Sequence, residues 1–400
     1  MSEQIALGFG NNVDYEILWD SRVVEDLIVR HDIHANELNQ EREIDSERDL
    51  VISILCFLRS GNGGERFVAS SDIIERFSQR FTKKITLGGT SVRAAVAMRT
   101  LGYRSALHLV TINDHVRRLI PADSFYVCSN SQDTLYPHLI VQFDEGTRVC
   151  ANDIDIRSNR ANRIIYHNDT DNIRMHLNEE FAQLVTNAKV LLVAGFNAMQ
   201  DRTLLLDRLH TVLRIMQHLP KDALVYCEDA GFYDPSFRKL IYTTLAGRIN
   251  IYGLNEDELQ SHLGRNLNLL DAEQMKTALE DLHQLIGVPH IVVHSMHWAL
   301  AYGENAENMT NALKGGVTMA TTRFRYGDDF TPENYREVEE LPPNPKGFAF
   351  SRAIKLLLGS KICCTPVAQV DQTNATTVGL GDAFVGGFLP GLLPSAARSW

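Results

Sequence analysis

The sequence predicts an α/β protein with a three-layer core built on a mostly parallel sheet, together with a smaller β-rich lid. From residue 180 onward, short apolar runs alternate with amphipathic runs, which is typical of buried strands alternating with helices on both faces of a parallel sheet. Residues 123–167 differ, because polar and apolar positions alternate there and turn residues interrupt them. We therefore expect one unit over 1–400. Its core comprises mainly 85–122 and 180–400 with the first strand at 4–10, and insertions at roughly 12–70 and 123–178 form the lid.

The elements of the first half follow from local patterns. The apolar run IALGFG predicts a short buried strand, and the charged stretch between Val23 and Phe81 has helical spacing. KITLGGTSVRAAVAMRTLGYRSALHLVTIN predicts a strand, a glycine turn, an Ala-rich helix and a second strand. YPHLIVQFDEGTRVCAN contains an EG turn between alternating residues and predicts a hairpin, and NRIIYHND predicts a further strand.

The second half is more regular. Apolar strand patterns occur in KVLLVAGF, ALVYCEDA, INIYGLN and HIVVHSMHWALAYG. Helical patterns occur in FAQLVTN, DRTLLLDRLHTVLRIMQHL, DPSFRKLIYTTLAGR, EDELQSHLG and DAEQMKTALEDLHQLIG. Segment 325–347 is polar and Pro-rich, so we expect a surface loop there. Because ligands of open α/β sheets bind at the carboxyl ends of the strands, polar residues that follow these strands are candidates for one cleft.

Composition limits the class of partner. A formal charge of -11 argues against nucleic acid and anionic membranes as main partners, although it leaves a local phosphate site open. The six cysteines include one adjacent pair, Cys363 and Cys364, and lack the CxxC spacing of a zinc site, so we expect a reducing environment. Neither a signal peptide nor a membrane-spanning apolar run is apparent, which predicts a cytoplasmic protein.

The stretch TTVGLGDAFVGGFL, residues 376–389, places Gly379, Leu380, Gly381 and Asp382 before an apolar helical run. Glycines at a helix start let a ligand approach the free N–H groups, which form a natural anion site. A carboxylate beside that site could accept a proton while negative charge develops on the ligand. The structural alternative is an ordinary glycine turn in which Asp382 serves as the helix N-cap.

Two acidic clusters follow predicted strands. GLNEDEL places Asn255, Glu256 and Glu258 at a helix start, and YCEDA places Glu228 at a strand end. Hard oxygen ligands of this kind suit Mg²⁺ shared with a phosphate through water. The alternatives are a first turn favoured by the helix dipole and a solvated charge at the end of a strand.

Further polar groups suit a hydroxylated ligand. Gly88 and Gly89 could bring the backbone close to a sugar, and Asp14 in NNVD could bind sugar hydroxyls, although each also fits a simple turn. An anion-binding turn with a base, an acidic metal-binding turn and groups for a hydroxylated acceptor together describe phosphoryl transfer.

The order of these motifs resembles a known family. GFGNNVD, LGGTSVRAA, NRIIYHND, AGFNAM, YCEDA, GLNEDEL, VVHSMHWALAYG and TVGLGD occur in the order typical of the ADP-dependent sugar kinases, the glucokinase and phosphofructokinase branch of the ribokinase superfamily. The resemblance covers most of the chain. It implies a ribokinase-like core, a β-lid that closes over the sugar, Mg²⁺, and ADP as the donor with AMP as a product.

The resemblance also implies residue roles. Asp382 would be the base, with Gly379, Leu380 and Gly381 forming the anion hole. Sugar contacts would come from Asn12, Asp14, Gly88 and Gly89; metal contacts from Glu228, Asn255, Glu256 and Glu258; and nucleotide contacts from His294, Asn255 and Val378. One departure stands out, because Tyr226 occupies the position two residues before Glu228 where the family usually has histidine.

The acceptor and the donor stay open at this point. Arg157, Arg160 and Arg163 lie in or beside a predicted lid strand, and arginine suits a phosphorylated acceptor such as fructose 6-phosphate, with Arg163 the first choice. Alternatively these arginines are solvated charges that face Asp153 and Asp155. An ATP-dependent kinase of the wider superfamily and a catalytically silent sensor on the same fold are the alternative functions. The oligomeric state is not indicated.

Overall fold

The computed structural model describes residues 3–370 and 379–394. In chain order its strands are β1 Ile5–Gly8, β2 Asn12–Ile17, β3 Gly64–Phe67, β4 Lys83–Gly88, β5 Ala106–Leu109, β6 Phe125–Cys128, β7 His138–Phe143, β8 Arg148–Ala151, β9 Ile154–Arg157, β10 Asn162–His167, β11 Val190–Val193, β12 Leu224–Glu228, β13 Ile251–Asn255, β14 His290–His294, β15 Trp298–Gly303 and β16 Ile362–Pro366.

The helices alternate with these strands. They are α1 Ser21–Arg30, α2 Glu47–Ser60, α3 Ser71–Ser78, α4 Thr90–Thr100, α5 Asp114–Leu119, α6 Thr170–Arg174, α7 Phe181–Leu184, α8 Arg202–Met216, α9 Ser236–Thr244, α10 Glu256–Leu263, α11 Ala272–Ile286, α12 Thr310–Tyr326, α13 Pro332–Glu339, α14 Pro345–Leu358 and α15 Leu380–Gly391. Short 3₁₀ turns lie at Ala35–Glu37, Ala306–Met309 and Gly359–Lys361. Within the described ranges, no helix is both long enough and apolar enough to cross a membrane.

A nine-stranded sheet forms the core, in the order β16-β15-β14-β13-β12-β11-β1-β5-β6. The strands from β14 to β6 run parallel, whereas β15 and β16 extend the sheet in antiparallel pairs. Alternate residues of β11 enter two different hydrophobic clusters, with Val190 and Leu192 in one and Leu191 and Val193 in the other. Helices therefore cover both faces of the sheet, and the predicted three-layer α/β core is confirmed.

A second sheet contains five strands in the order β3-β10-β7-β2-β4. Two boundaries differ from the sequence prediction. Strand β4, most of which falls in the predicted core segment 85–122, pairs antiparallel with β2 in this smaller sheet. Strand β6, in the predicted lid segment 123–178, pairs parallel with β5 in the large sheet. The local pattern predicts that each segment is a strand, but the partner is set by long-range pairing that periodicity does not encode.

Two local predictions are also wrong. The hairpin expected over 136–152 does not form, because β7 pairs with β10 and β2, while β8 pairs with β9. The expected loop at 325–347 contains helix α13, which begins with Pro332 in its first turn and a capping box between Thr331 and Asn334. These are strong helix-start signals that the polar composition of the segment obscured.

Candidate active site

A cavity of about 890 Å³ lies between the carboxyl ends of the large sheet's strands and one face of the smaller sheet. This is the position at which open α/β sheets bind ligands. Every predicted site residue within the described ranges lines it: Asn12, Asp14, Gly88, Gly89, Arg163, Glu228, Asn255, Glu256, Glu258, His294, Gly379, Leu380, Gly381 and Asp382. Val378 lies outside the described residues. Motifs separated by up to 370 positions (Asn12 to Asp382) thus meet in one cleft.

Helix α15 begins at the predicted glycine turn. Its N-cap is Gly379, with φ of 65° in the left-handed region and no side chain capping the helix. Asp382 lies in the first turn and is therefore not the N-cap, which contradicts the structural alternative. The first backbone N–H groups of α15 are left for a ligand, and Leu380, Gly381 and Asp382 all line the cavity.

Arg93, on α4, connects Asp382 to Asp14, and the sequence analysis did not single it out. Its Nη2 lies 2.7 Å from Asp14 Oδ2, and its Nε lies 3.7 Å from Asp382 Oδ2. Burial lowers the pKa of Arg93, but Asp14, Asp382 and Glu16 raise it by more, so the guanidinium is charged. The only sequence signal was a lone arginine inside the Ala-rich run VRAAVA.

One wall of the cavity is built from strands β2 and β4. Asn12 Nδ2 donates to Asp14 Oδ1 at 2.6 Å, and both side chains are buried. A Cβ at Gly88 would lie 2.3 Å from Asn12 Nδ2 and 2.7 Å from Asp14 Oδ2, so a larger residue would displace this pair. Gly89 has φ of 91°, and its Cβ would lie 2.9 Å from the Cα of Asn11. Gly88 is therefore required for close approach of the backbone to the polar pair, and Gly89 for close approach to the backbone of Asn11.

Histidine and carboxylate side chains extend this wall across the smaller sheet. His138 Nε2 lies 3.1 Å from Asp169 Oδ2 and lines the cavity. Burial lowers the pKa of His138, but the hydrogen bond and charge of Asp169 raise it above the ordinary value. Glu65 also lines the cavity, and His167 Nε2 lies 2.8 Å from its Oε1. Sequence reasoning missed these residues, since a histidine in a strand gives no signal of its neighbours.

Glu228 lies at the end of β12 in a network of hydrogen bonds. Tyr226 donates its hydroxyl to Glu228 Oε2 at 2.7 Å, and His294 Nε2 lies 3.2 Å from Glu228 Oε1. Burial lowers the pKa of His294, but the hydrogen bond to Glu228 and the charges of Glu228, Glu258 and Glu256 together raise it above the ordinary value. A Cβ at Gly253 would lie 1.9 Å from the Tyr226 hydroxyl, so this glycine makes room for the tyrosine. Tyr226 thus orients Glu228.

Asn255 and Glu258 form a capping box at the start of α10. Asn255 Oδ1 accepts hydrogen bonds from the N–H groups of Asp257 and Glu258, and Glu258 Oε2 accepts from the N–H of Asn255. The alternative of an ordinary helix start therefore holds for part of this turn, because Asn255 Oδ1 and Glu258 Oε2 already accept hydrogen bonds within the cap. Burial, with the charges of Asp229 and Glu228, raises the pKa of Glu258 to about 8.

A metal could be held here only in a limited way. Across residues 3–370 and 379–394, no group of three His, Cys, Asp or Glu side chains is arranged to ligate an ion directly. Glu228, Glu256 and Glu258 nevertheless share one wall of the cavity. Like charges crowded in a partly buried wall are stabilised by a cation, and oxygen donors suit a hard one that keeps its water. The donor set therefore fits Mg²⁺ bound through water.

Of the three arginines near the predicted lid strand, only Arg163 lines the cavity. Arg160 donates to Asn62 Oδ1 at 3.0 Å, and Arg157 is exposed on β9. The predicted three-arginine cluster is therefore wrong. The alternative holds in part, because Arg157 and Arg160 are exposed to solvent, but the ion-pair partners of Asp153 and Asp155 are His34 and Arg148. Burial lowers the pKa of Arg163, while the charges of Asp382 and Glu65 act in the opposite direction.

Comparison with known proteins agrees with this architecture. Residues 3–389 match the family described as ADP-specific phosphofructokinase/glucokinase conserved region. A curated relative, the ADP-dependent glucose/glucosamine kinase of Pyrococcus furiosus, is 23% identical over 96% of this chain and 94% of its own length.

Solved structures show the same fold. A phosphofructokinase from Pyrococcus horikoshii with AMP has a TM-score of 0.77 at 18% identity and covers 98% of both chains. An ADP-dependent kinase in complex with fructose 6-phosphate and ADPβS has a TM-score of 0.74 at 13% identity, covering 98% of this chain and 94% of the other. The family match over nearly the whole length agrees with the motifs that meet in the cleft. The chain belongs to the ADP-specific phosphofructokinase/glucokinase family of sugar kinases.

Proposed function

We propose that this protein transfers the terminal phosphoryl group of ADP to a hydroxyl of an unphosphorylated hexose, with Asp382 as the base. The observation that supports this most is the position of Asp382, in the uncapped first turn of α15 and on the wall shared with Asp14. A base, free helix N–H groups and an acceptor-binding carboxylate are the groups that phosphoryl transfer requires.

The proposed step begins with a sugar hydroxyl held by Asn12 and Asp14. Its oxygen forms a bond to the β-phosphorus of ADP while its proton passes to Asp382. The bond from that phosphorus to the bridging oxygen breaks, and AMP leaves with the oxygen. The N–H groups around Gly379, Leu380 and Gly381 would stabilise the negative charge on the transferred group.

The opposite wall would hold the nucleotide. His294, Asn255 and Val378 are the proposed nucleotide contacts, and Glu228, Glu256 and Glu258, with Asn255, would orient Mg²⁺ through water. Neutralisation of phosphate charge is the chemistry that Mg²⁺ supplies when bound. Among these residues, Glu228 is the best supported, because Tyr226 and His294 fix both of its oxygens.

An unphosphorylated acceptor is favoured by the hydroxyl-binding groups on the lid side of the cleft. Glu65 and Asp14 line that side, and carboxylates accept hydrogen bonds from hydroxyls. Arg93 and Arg163 line it as well, and Arg93 is paired with Asp14. The Pyrococcus furiosus relative, named a glucose/glucosamine kinase, is consistent with this choice. Arg163 is the observation that favours fructose 6-phosphate as a second candidate.

The test is a phosphoryl-transfer assay with Mg²⁺ that crosses ADP and ATP with glucose, glucosamine and fructose 6-phosphate. We expect AMP to form from ADP only when an unphosphorylated sugar is present. The Asp382→Asn variant should lose several orders of magnitude in kcat while it still binds nucleotide. Turnover with ATP alone would move the protein to the ATP-dependent kinases. Nucleotide binding without any turnover would favour the sensor, and full activity in Asp382→Asn would contradict the role of the base.

A second variant tests the acceptor. Arg163→Gln should lower kcat/KM for fructose 6-phosphate far more than for glucose if Arg163 binds a phosphate on the acceptor. An equal loss for both acceptors would instead indicate that Arg163 contacts the transferred phosphoryl group.

The expected location stays the reducing cytoplasm, which is supported by the six free cysteines.

A further inference from the structure

We infer that Arg93 is a positioning residue that holds the base, the acceptor-binding carboxylate and the anion-binding turn in one fixed arrangement. The inference rests on the proposed phosphoryl transfer but assigns a role to a residue outside its list of chemical participants. Arg93 lies on α4 and touches neither donor nor acceptor in the proposed step. Its effect would pass through Asp382, Asp14 and Gly379.

The first support is the set of contacts made by the guanidinium. Arg93 Nη2 is 2.7 Å from Asp14 Oδ2, and Arg93 Nε is 3.7 Å from Asp382 Oδ2. Glu16 Oε1 is 3.6 Å from the same Nη2. The charge of Asp382 also acts on Arg163 and Arg323. The planar fork of arginine can serve two carboxylates at fixed angles, which a lysine cannot.

The second support is the packing of Arg93 against the glycine turn. A Cβ at Gly379 would lie 2.6 Å from Arg93 Nη1 and 3.2 Å from its Cδ, so the side chain lies directly against this turn. Gly379 is the N-cap of α15, the helix whose N–H groups would stabilise the transferred phosphoryl group. One side chain therefore contacts the turn, the base and the acceptor-binding carboxylate.

The third support is the rigidity of the helix that carries Arg93. A Cβ at Gly386 on α15 would lie 2.9 Å from both Ala94 O and Ala97 Cβ on α4. The two helices therefore approach closely, which fixes the backbone of Arg93 relative to Asp382. A rigid support is what allows a charged side chain to hold its partners in a productive geometry.

The burial of the Arg93 side chain indicates that its charge has a function. The side chains of Arg93 and Asp14 are each only 6% exposed. Well-packed apolar residues are often as stabilising as a buried ion pair, so packing alone gives no reason for an arginine here. Contact with Asp382 does, because the planar guanidinium can hold the carboxylate that accepts the proton in one orientation.

The test compares Arg93→Gln with Arg93→Lys in the full chain. For Arg93→Gln we expect kcat to fall about 100-fold, the usual effect of losing one preorganised electrostatic contact. The Kd of the acceptor, measured by calorimetry without nucleotide, should rise about tenfold, because Asp14 loses its partner. For Arg93→Lys, kcat should fall only about tenfold, since the charge remains and the fork is lost.

A matched control separates this role from stability. Arg48→Gln removes a guanidinium that binds Glu37 at 2.5 Å. Neither residue lines the cavity. The substitution should lower the unfolding midpoint without changing kcat or the acceptor Kd. If Arg93→Gln does not fold, Arg93→Lys still tests the inference through its kcat.

Three outcomes would overturn the inference. One is a folded Arg93→Gln with kcat within threefold of the wild type. Another is Arg93→Lys with wild-type kcat, which would make the fork irrelevant. The third is an acceptor Kd that is unchanged in Arg93→Gln. Failure of the proposed function gives a different result, because the wild type itself would then show no turnover with any pair of substrates, while the calorimetric comparison would still judge Arg93.

Discussion

Two glycines in the anion-binding turn form a matched pair of perturbations, because the structure predicts different outcomes for the same added methyl group. Gly379→Ala places a Cβ at a residue with φ of 65° and 2.6 Å from Arg93 Nη1. Gly381→Ala places one inside the first turn of α15, with His294 Cε1 at 3.3 Å as its nearest contact. Gly379→Ala should therefore disturb both the fold and the site, whereas Gly381→Ala should disturb the site alone.

The magnitudes follow from these contacts. An alanine held in the left-handed region costs about 1 kcal/mol. Displacement of Arg93 would also break its hydrogen bond to Asp14, and bonds to charged groups contribute about 1.5–3 kcal/mol. Gly379→Ala should therefore lower the free energy of unfolding by roughly 3 kcal/mol. Gly381→Ala should leave it unchanged or raise it by about 0.5 kcal/mol, because alanine is the better helix former and the histidine must move only a few tenths of an ångström.

Activity should separate from stability in this pair. If the N–H groups of the turn stabilise the transferred phosphoryl group, the methyl of Gly381→Ala intrudes on that group, and kcat should fall about 100-fold. Urea unfolding gives the stability of both variants, and AMP formation from ADP gives kcat. A stable Gly381→Ala with kcat within threefold of the wild type would refute the anion-hole role of this turn. A Gly379→Ala as stable as the wild type would refute the packing argument.

Three further predictions concern stability, each measured by urea unfolding. Tyr226→Phe removes the hydroxyl that donates to Glu228 at 2.7 Å and should cost about 1.5–3 kcal/mol at pH 7, more than Tyr252→Phe on the neighbouring strand; an equal loss would contradict the importance of this bond. For Glu258 the folded-state pKa of about 8 lies above the ordinary 4.5, so its contribution to stability falls as pH rises through this range. Glu258→Gln should therefore be more stable relative to the wild type at pH 9 than at pH 4, and a difference that is the same at both values would be evidence against the raised pKa. Phe388→Ala, at a fully buried position, should cost about 3–5 kcal/mol, whereas Phe348→Ala, at a position 46% exposed, should change stability by less than about 0.5 kcal/mol; similar values would contradict the packing of α15.

The fold could be predicted from the sequence where one strong local pattern decided the element. The apolar strand β11 and the amphipathic helix α8 are unambiguous in this sense, and both form as expected. Local patterns failed where the partner mattered. Strand β4 was recognised as a strand, yet its pairing with β2 depends on a contact between segments about 70 residues apart. Helix α13 was missed because its polar composition outweighed its capping signals.

The candidate site shows the same division. The glycine turn at Gly379 and the acidic turn at Asn255 were recognisable because their chemistry is concentrated in a few consecutive residues. Arg93 and His138 gave no such signal, since each acts through a partner that is distant in the chain. The apparent arginine cluster was misleading for the converse reason, because neighbours in sequence such as Arg160 and Arg163 point to different surroundings.

By itself the sequence determined the α/β class, the order of the motifs and the residue types available for phosphoryl transfer, because helical and strand periodicity and glycine turns are local properties of the chain. Only the tertiary structure decided which strands share a sheet. It also decided that Asp382 follows the glycine N-cap of its helix and is not itself the N-cap. Asn255 and Glu258, in turn, partly cap the helix that they begin. The tertiary structure also placed a buried arginine between the base and the acceptor wall. The physical reason is that charge pairing and close packing depend on distances of a few ångströms between residues remote in sequence, and those distances exist only once the sheets have formed.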